Sequence, residues 1–211
     1  MPEFIDPGDK HITQAYGISI LGPKSKIVKQ LNKYNVPTVH GDKNWLSSFV
    51  IADYLLHRPL LKKRTKVLEL GCGWGPASVF CAHHANAKVT GLDIDEDVFP
   101  YLQAQAEIND VKVAVQKGKF EKLSGDYLGS FDVLIGADIC FWDELQTTLF
   151  KLIKRALKSG VKDIIIADPG RSPFLDLVDR CEKIADVEYL SWYCTEPERF
   201  EGFLMHIRNY K

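Results

Sequence analysis

VLELGCGWGP, residues 67–76, is an apolar strand that runs directly into three alternating glycines. Glycine has no Cβ, so Gly71, Gly73 and Gly75 allow the backbone to turn sharply and to approach a bulky ligand. A second apolar run, residues 89–93, ends on Asp93. A carboxylate at that point can accept hydrogen bonds from both hydroxyls of a ribose. The two runs together predict a nucleotide pocket, whereas the glycines alone could be only a tight connection to a helix.

The spacing of the glycines helps to choose the ligand. A dinucleotide fingerprint is G-x-G-x-x-G, but this chain has G-x-G-x-G, with Pro76 where the last glycine would fall. Glu69 adds a second carboxylate, which would repel a pyrophosphate and could meet a cationic group instead. A dinucleotide is therefore disfavoured, although a nicotinamide oxidoreductase stays open as an alternative.

These residues resemble motif I of the class I, seven-β-strand methyltransferases, in which E/D-x-G-x-G-x-G precedes an acidic residue that closes the second strand. The resemblance runs through an ordered series of motifs over roughly residues 45–208. It implies S-adenosylmethionine as the cofactor, bound along Glu69, Gly71, Gly73 and Asp93. Backbone carbonyls of Gly71, Gly73 and Ala137 are the candidates to face the sulfonium.

Composition limits the other possibilities. The chain has 211 residues, 45% of them apolar, which predicts one main folded domain. A net charge of −1 gives no broad electrostatic footprint for nucleic acid. The five cysteines lack metal-finger spacing, so we expect reduced thiols, a cytoplasmic protein and no metal. No apolar run approaches the roughly 18 residues that span a bilayer, and the first residues are unlike a signal peptide.

Strand and helix patterns alternate after residue 60, which predicts parallel strands with helices on both faces. We expect an α/β, Rossmann-like, doubly wound sheet of seven strands, mostly parallel, with an antiparallel last strand. The predicted strands are 65–70, 88–93, 111–115, 131–136, 162–168, Val187–Trp192 and Phe203–Arg208, and the helices between them are 76–84, 96–108, 143–158 and 172–184.

We expect two parts in the chain: an N-terminal extension or lid, residues 1–44, and, as the resemblance implies, a methyltransferase domain, residues 45–211. The extension is expected to be irregular, with one helix over Ser25–Tyr34, and a second helix is expected over residues 45–56. Trp45 begins a segment that resembles a W-x-x-S region of related enzymes, where the aromatic ring lies over the cofactor cleft. A Trp in the protein core explains it nearly as well.

The segment GADICFW, residues 136–142, follows the fourth strand of the predicted sheet. Its Asp138 and Phe141 fit the D-x-x-Y/F pattern of the lysine-directed methyltransferase family sixteen. The resemblance implies that Asp138 holds an amine while Phe141 or Trp142 forms an aromatic wall. Alternatively, Asp138 caps the following helix.

Two further segments carry weaker signals. Residues 168–171 look like a D-P-x-R segment of some of these enzymes, and Arg171 could reach a substrate carboxylate or an internal acid. After the third strand, Lys119 stands where the family often has an acid for the adenine amino group. We expect the backbone amide of Lys119 or Phe120 to hold adenine, with the Phe120 ring packed on it.

The expected function is an S-adenosylmethionine-dependent methyltransferase that N-methylates a protein lysine. The choice of lysine follows from the family resemblance alone. A methyltransferase of small molecules and a non-catalytic S-adenosylmethionine-binding module are the alternatives.

Overall fold

The computed structural model describes residues 9–38, 41 and 43–210. The strands are β1 (Ile12–Ala15), β2 (Ile18–Leu21), β3 (Lys66–Leu70), β4 (Lys88–Asp93), β5 (Val113–Lys117), β6 (Val133–Ala137), β7 (Asp163–Asp168), β8 (Asp186–Cys194) and β9 (Phe200–Arg208). The α-helices are α1 (Lys26–Leu31), α2 (Ser47–His57), α3 (Pro76–Ala85), α4 (Phe99–Glu107), α5 (Gly125–Leu128), α6 (Asp143–Lys158) and α7 (Ser172–Glu182). Short 3-10 helices cover Glu96–Val98 and Phe120–Lys122.

Seven strands form one sheet in the order β5-β4-β3-β6-β7-β9-β8. Only β9 runs against its neighbours, since it pairs antiparallel with both β7 and β8. The order reverses between β3 and β6, and the crevice at such a reversal is where open α/β sheets bind ligands. The predicted doubly wound sheet with an antiparallel last strand is confirmed.

Helices cover both faces of this sheet because its central strands are apolar on both sides. One buried cluster includes residues of α2, α3 and α4, and another includes residues of α6 and α7. Helix α6 shows the pattern that drives this packing: its buried side chains recur at helical spacing, at Leu149, Leu152, Ile153 and Ala156. Packing from two sides fixes the carboxyl ends of β3, β4 and β6, which carry the predicted site.

The region before residue 44 differs from its predicted irregular form. Strands β1 and β2 make an antiparallel hairpin whose turn residues, Tyr16 and Gly17, both have positive φ. Ile18 and Leu21 are buried, and the hairpin packs on α3 and α4. The predicted helix over Ser25–Tyr34 is shorter, since α1 ends at Leu31. That residues 1–44 act as a lid stays a prediction, and residues 1–8, 39, 40 and 42 lie outside the described part of the chain.

Candidate functional site

A cleft opens at the carboxyl ends of β3, β4 and β6. Its volume is about 570 Å³ when the open solvent at its mouth is included. Its lining is mainly apolar and aromatic and includes two aspartates. The lining residues are Gly41, Trp45, Gly71, Gly73, Asp93, Phe120, Ala137, Asp138, Ile139, Phe141, Trp142 and Leu145.

The glycines between β3 and α3 serve two different purposes. Gly71, Gly73 and Gly75 all have positive φ, between 49° and 66°, which side chains rarely adopt. A Cβ on Gly75 would lie 2.1 Å from Cδ1 of Leu102, so this position must be glycine for α4 to pack. A Cβ on Gly73 would meet no atom within 4 Å. Gly73 therefore leaves space for a ligand to approach the backbone.

Asp93 closes β4 and is tied to the glycine loop. Its Oδ2 accepts a hydrogen bond of 3.1 Å from the backbone N–H of Gly73, and its Oδ1 accepts one of 3.0 Å from Asp95 N–H. The residue is only 8% exposed, and burial raises the pKa of its carboxyl group. Each carboxylate oxygen can accept more than one hydrogen bond. Both oxygens can therefore still receive hydroxyl donors from the cleft.

Glu69 is not among the residues that line the cleft. Its Oε2 accepts hydrogen bonds from the backbone N–H of Ser78, at 3.0 Å, and from the Ser78 hydroxyl group. Burial raises the pKa of Glu69 to about 8. The side chain thus joins β3 to α3 beneath the loop that it was predicted to share with the cofactor. Sequence reasoning did not identify Ser78, because nothing in the strand pattern shows which helix residue faces Glu69.

Lys119 is exposed and is also absent from the lining, whereas the neighbouring Phe120 takes part in it. The carbonyl oxygen of Phe120 accepts a hydrogen bond of 2.8 Å from Nη2 of Arg155, and that of Leu123 accepts one of 3.1 Å from its Nε. Arg155 lies on α6 and fixes the segment after β5. Its role was not predicted, since only the folded chain brings α6 to this segment.

Asp138 follows β6 directly and is almost completely buried. Its φ is 55°, in the left-handed region that Asp tolerates better than most residues, and its N–H donates to Ala167 O at 2.9 Å. Nη1 of Arg171 lies 2.8 Å from Asp138 Oδ1 and 2.8 Å from Asp168 Oδ2. Arg171 therefore pairs with internal acids. The sequence had left this partner and a substrate carboxylate as alternatives.

The alternative role for Asp138, as a helix cap, does not agree with the structure. Helix α6 has Trp142 at its N-cap position and no side-chain cap bond, and Asp143 and Glu144 lie in its first turn. Acidic side chains there interact favourably with the helix dipole. Asp138 is consequently available to face the cleft.

Aromatic rings line the cleft together with Asp138. The rings of Trp45 and Phe141 meet edge to face, with centroids 5.3 Å apart. The ring centroids of Phe141 and Trp142 are 5.8 Å apart. Cζ of Arg171 lies 4.1 Å from the centroid of Phe141. Trp142 is 47% exposed, at the mouth of the cleft. This end of the cleft combines a carboxylate with apolar walls, which suits an alkyl amine.

The cleft thus brings together eight predicted site residues from five parts of the chain: Trp45, Gly71, Gly73, Asp93, Phe120, Ala137, Asp138 and Phe141. It does not include Glu69 or Lys119. Three lining residues were not predicted, namely Gly41, Ile139 and Leu145. Of these, Ile139 could have been found from its place within the D-x-x-F segment.

Comparison with known proteins gives a family match for part of the chain. Residues 67–160 match the family model described as a methyltransferase domain. The electron transfer flavoprotein beta subunit lysine methyltransferase of Xenopus laevis is 27% identical over 130 residues, which are 62% of this chain and 52% of that protein. The calmodulin-lysine N-methyltransferase of Arabidopsis thaliana is 26% identical over 153 residues, which are 69% of this chain and 50% of that protein.

The chain therefore spans about half the length of the curated relatives it matches. A solved structure of an S-adenosylmethionine-dependent methyltransferase from Aquifex aeolicus has the same fold, with a TM-score of 0.58 and 18% identity. The likeness covers 86% of this chain and 97% of that one. Residues 67–160 thus resemble a methyltransferase domain, and the fold of the chain is the one seen in that solved methyltransferase. Within the described ranges, none of the helices has the length and apolar character needed to span a membrane.

Proposed function

We propose that this protein is a methyltransferase that uses S-adenosylmethionine to methylate the side-chain amine of a protein lysine. The observation that carries the proposal is one cleft lined by two aspartates with different surroundings. Asp93 lies beside the glycine loop, and Asp138 lines the cleft together with aromatic rings. The first arrangement suits a nucleoside and the second suits an amine.

The residues present fit the cofactor. The open space over Gly73 admits a ligand against the backbone, and Asp93 can accept hydrogen bonds from a ribose diol. Phe120 offers an apolar surface for the adenine ring. Oxygen atoms of the Gly71, Gly73 and Ala137 backbone can contact the polarised methyl and methylene groups beside a sulfonium. When bound, S-adenosylmethionine supplies an electrophilic methyl group.

Methyl transfer is an in-line displacement, so the protein has chiefly to orient the nucleophile and to exclude water. Oδ2 of Asp138 can accept a hydrogen bond from the amine, since Arg171 binds the other oxygen. That contact directs the amine nitrogen into the cleft. Trp45, Phe141 and Trp142 surround the alkyl part of the side chain and keep water out.

Two further observations support a protein lysine over other amines. The relatives described above are named as lysine methyltransferases that act on proteins. The exposed Trp142 at the mouth gives an extended acceptor an apolar surface outside the cleft. The cytoplasm remains the expected compartment. A small amine that enters the same cleft is the competing acceptor.

The proposal is tested by incubating cell extract with S-adenosylmethionine that carries a tritiated methyl group. Protein, nucleic acid and metabolite fractions are then counted for the wild type and for Asp138→Asn. Label in protein that is recovered as methyl-lysine after hydrolysis supports the proposal, provided that the variant loses it. Label only in metabolites would instead support a small-molecule methyltransferase. Binding of S-adenosylmethionine without methyl transfer to any fraction would favour a non-catalytic binding module. Tighter binding of NAD than of S-adenosylmethionine would contradict the protein-lysine methyltransferase, the small-molecule methyltransferase and the binding module alike.

A further inference from the structure

We infer that Arg171 is a positioning residue for the acceptor, which holds Asp138 and Phe141 in the arrangement that receives an amine. The inference rests on the proposed function, because it assigns a role within the same cleft. Arg171 is not itself among the residues that line the cleft. It therefore acts through the two side chains that do.

The contacts of Arg171 come from three directions. Its Nη1 donates to Asp138 Oδ1 and to Asp168 Oδ2, both at 2.8 Å. Its guanidinium carbon lies 4.1 Å from the centre of the Phe141 ring. Its own backbone N–H donates to Asp168 Oδ1 at 2.8 Å, beside a bond of 2.9 Å from Gly170 N–H to the same oxygen. Asp168 thus fixes the start of α7 and the direction of the Arg171 side chain together.

The charges explain why a cation is needed at this point. The side chain of Asp138 is 3% exposed and that of Asp168 is fully buried, so each ion is costly without a partner. Two carboxylates that share one site cannot readily both ionise, and one of them normally takes up a proton. Burial already raises the pKa of Asp168. Arg171 supplies the positive charge that offsets the cost of burying both carboxylates.

No other charged side chain among the described residues is bonded to this pair. The nearest titratable group on the same loop is the Cys140 thiol, and burial raises its pKa, so it stays neutral. The Cys181 thiol on α7 is neutral for the same reason, since burial raises its pKa to about 12. Among the described residues, Arg171 therefore carries the charge that offsets both Asp138 and Asp168.

The arrangement also limits what the acceptor can contact. Arg171 takes Oδ1 of Asp138 and covers one face of Phe141. The amine is left with Oδ2 of Asp138, and Phe141 serves as a wall held by the guanidinium. An acceptor with one nitrogen donor fits this site, whereas a planar group that needs both carboxylate oxygens does not.

The test compares Arg171→Met, Asp168→Asn and the double variant with the wild type. Methionine keeps an extended side chain without charge, and asparagine keeps the oxygen that bonds Gly170 and Arg171 N–H. A matched control is Arg180→Met, since Arg180 also lies 4.1 Å from a phenylalanine ring, Phe150, and bonds Gln146 at 2.7 Å away from the cleft. Three quantities are measured: kcat for the acceptor, KM for the acceptor, and cofactor affinity by calorimetry.

In Arg171→Met we expect kcat/KM for the acceptor to fall about tenfold, because Asp138 and Phe141 lose the group that holds them. The fall should lie mainly in kcat, since an amine that is bound but poorly oriented reacts slowly. The double variant should recover part of the loss, because it removes the second buried charge. Cofactor affinity stays within twofold in every variant, and Arg180→Met leaves all three quantities unchanged.

An unchanged kcat/KM in Arg171→Met, or a double variant that does no better than Arg171→Met, would overturn the inference. If Arg171→Met does not fold, Arg171→Lys is used. Lysine keeps the charge but not the planar fork, so a severalfold lower kcat/KM with unchanged cofactor affinity is expected, and wild-type kcat/KM would overturn the positioning role. Absence of methyl transfer by the wild-type protein would instead contradict the proposed function. A crystal structure of the variant would then still test the inference, since unmoved Asp138 and Phe141 side chains would overturn it.

Discussion

The backbone N–H of Gly73 donates a hydrogen bond of 3.1 Å to Oδ2 of Asp93. This bond joins the loop after β3 to the end of β4, so the two parts of the predicted nucleotide pocket are fixed to each other before any ligand binds. Preorganisation of this kind lowers the cost of ordering the site on binding.

Asp93→Asn should weaken the binding of S-adenosylmethionine by roughly 10- to 100-fold, because hydrogen bonds to charged groups contribute about 1.5–3 kcal/mol. Calorimetric titration measures the change. Asp95→Asn is the matched control: it removes a charge two residues away on a side chain that does not line the cleft. The affinity for S-adenosylmethionine should also decrease as the pH falls. The decrease should begin at a higher pH than for an exposed aspartate, because burial raises the pKa of Asp93. Equal affinities for Asp93→Asn and the wild type would exclude the ribose contact.

Gly73→Ala should lower cofactor affinity about tenfold or more, because its Cβ would project into the space that the ligand needs. The backbone strain at positive φ costs about 1–2 kcal/mol of stability as well. Gly160→Ala separates the two effects, since Gly160 also has a positive φ of 90°, has no atom within 4 Å of an added Cβ and does not line the cleft. Both variants should lose similar stability in thermal unfolding, but only Gly73→Ala should lose affinity. A similar affinity in the two variants would argue against backbone approach at Gly73.

Glu69→Gln should change how stability depends on pH. The folded-state pKa of Glu69 is about 8, against an ordinary value of 4.5, so the folded protein holds the proton more tightly than the unfolded chain does. The contribution of Glu69 to the free energy of unfolding is complete below about pH 4.5. It is lost as the pH rises toward 8, by at most about 1.4 kcal/mol per pH unit. Glutamine has no proton to lose, so the stability of the variant relative to wild type should increase from pH 5 to pH 8. Urea unfolding at several pH values measures this difference, and a constant difference would contradict the buried, protonated state.

Asp138→Asn should lower kcat/KM by roughly 10- to 100-fold, because a hydrogen bond to a charged group is replaced by a neutral one. Asparagine tolerates the φ of 55° at this position, so the backbone should be preserved. Cofactor affinity should stay close to wild type, since Asp138 serves the acceptor. A variant that binds cofactor poorly but transfers methyl groups normally would reverse the assigned roles of Asp93 and Asp138.

Much of the fold could be predicted from local patterns. The glycine loop, Asp93 at the end of β4 and the alternation of strands and helices are all local in sequence, and the seven-stranded sheet followed from them. The β1–β2 hairpin was missed because each strand has only four residues, too few to show periodicity. Its bonds are long-range: Leu21 N–H donates to Gln105 Oε1 at 2.9 Å, and the Tyr16 hydroxyl donates to Asp53 at 2.8 Å.

The same distinction applies to the site. Asp138 and Phe141 could be found because they follow one strand in a recognisable segment. The bond from Arg171 to both Asp138 and Asp168 could be only partly foreseen, since it depends on β6 and β7 being neighbours. Glu69 was expected to contact the ligand, yet its Oε2 accepts a hydrogen bond from the backbone N–H of Ser78 on α3. Side-chain partners across elements are decided by packing, which the sequence pattern does not encode locally.

The most direct measurement is a crystal structure of the protein with bound S-adenosylhomocysteine, the demethylated cofactor. We expect both ribose hydroxyls to lie within hydrogen-bond distance of the Asp93 carboxylate, with the sulfur atom directed toward Asp138 and Phe141. A ribose bound elsewhere, or a cleft that stays empty at saturating ligand, would contradict it.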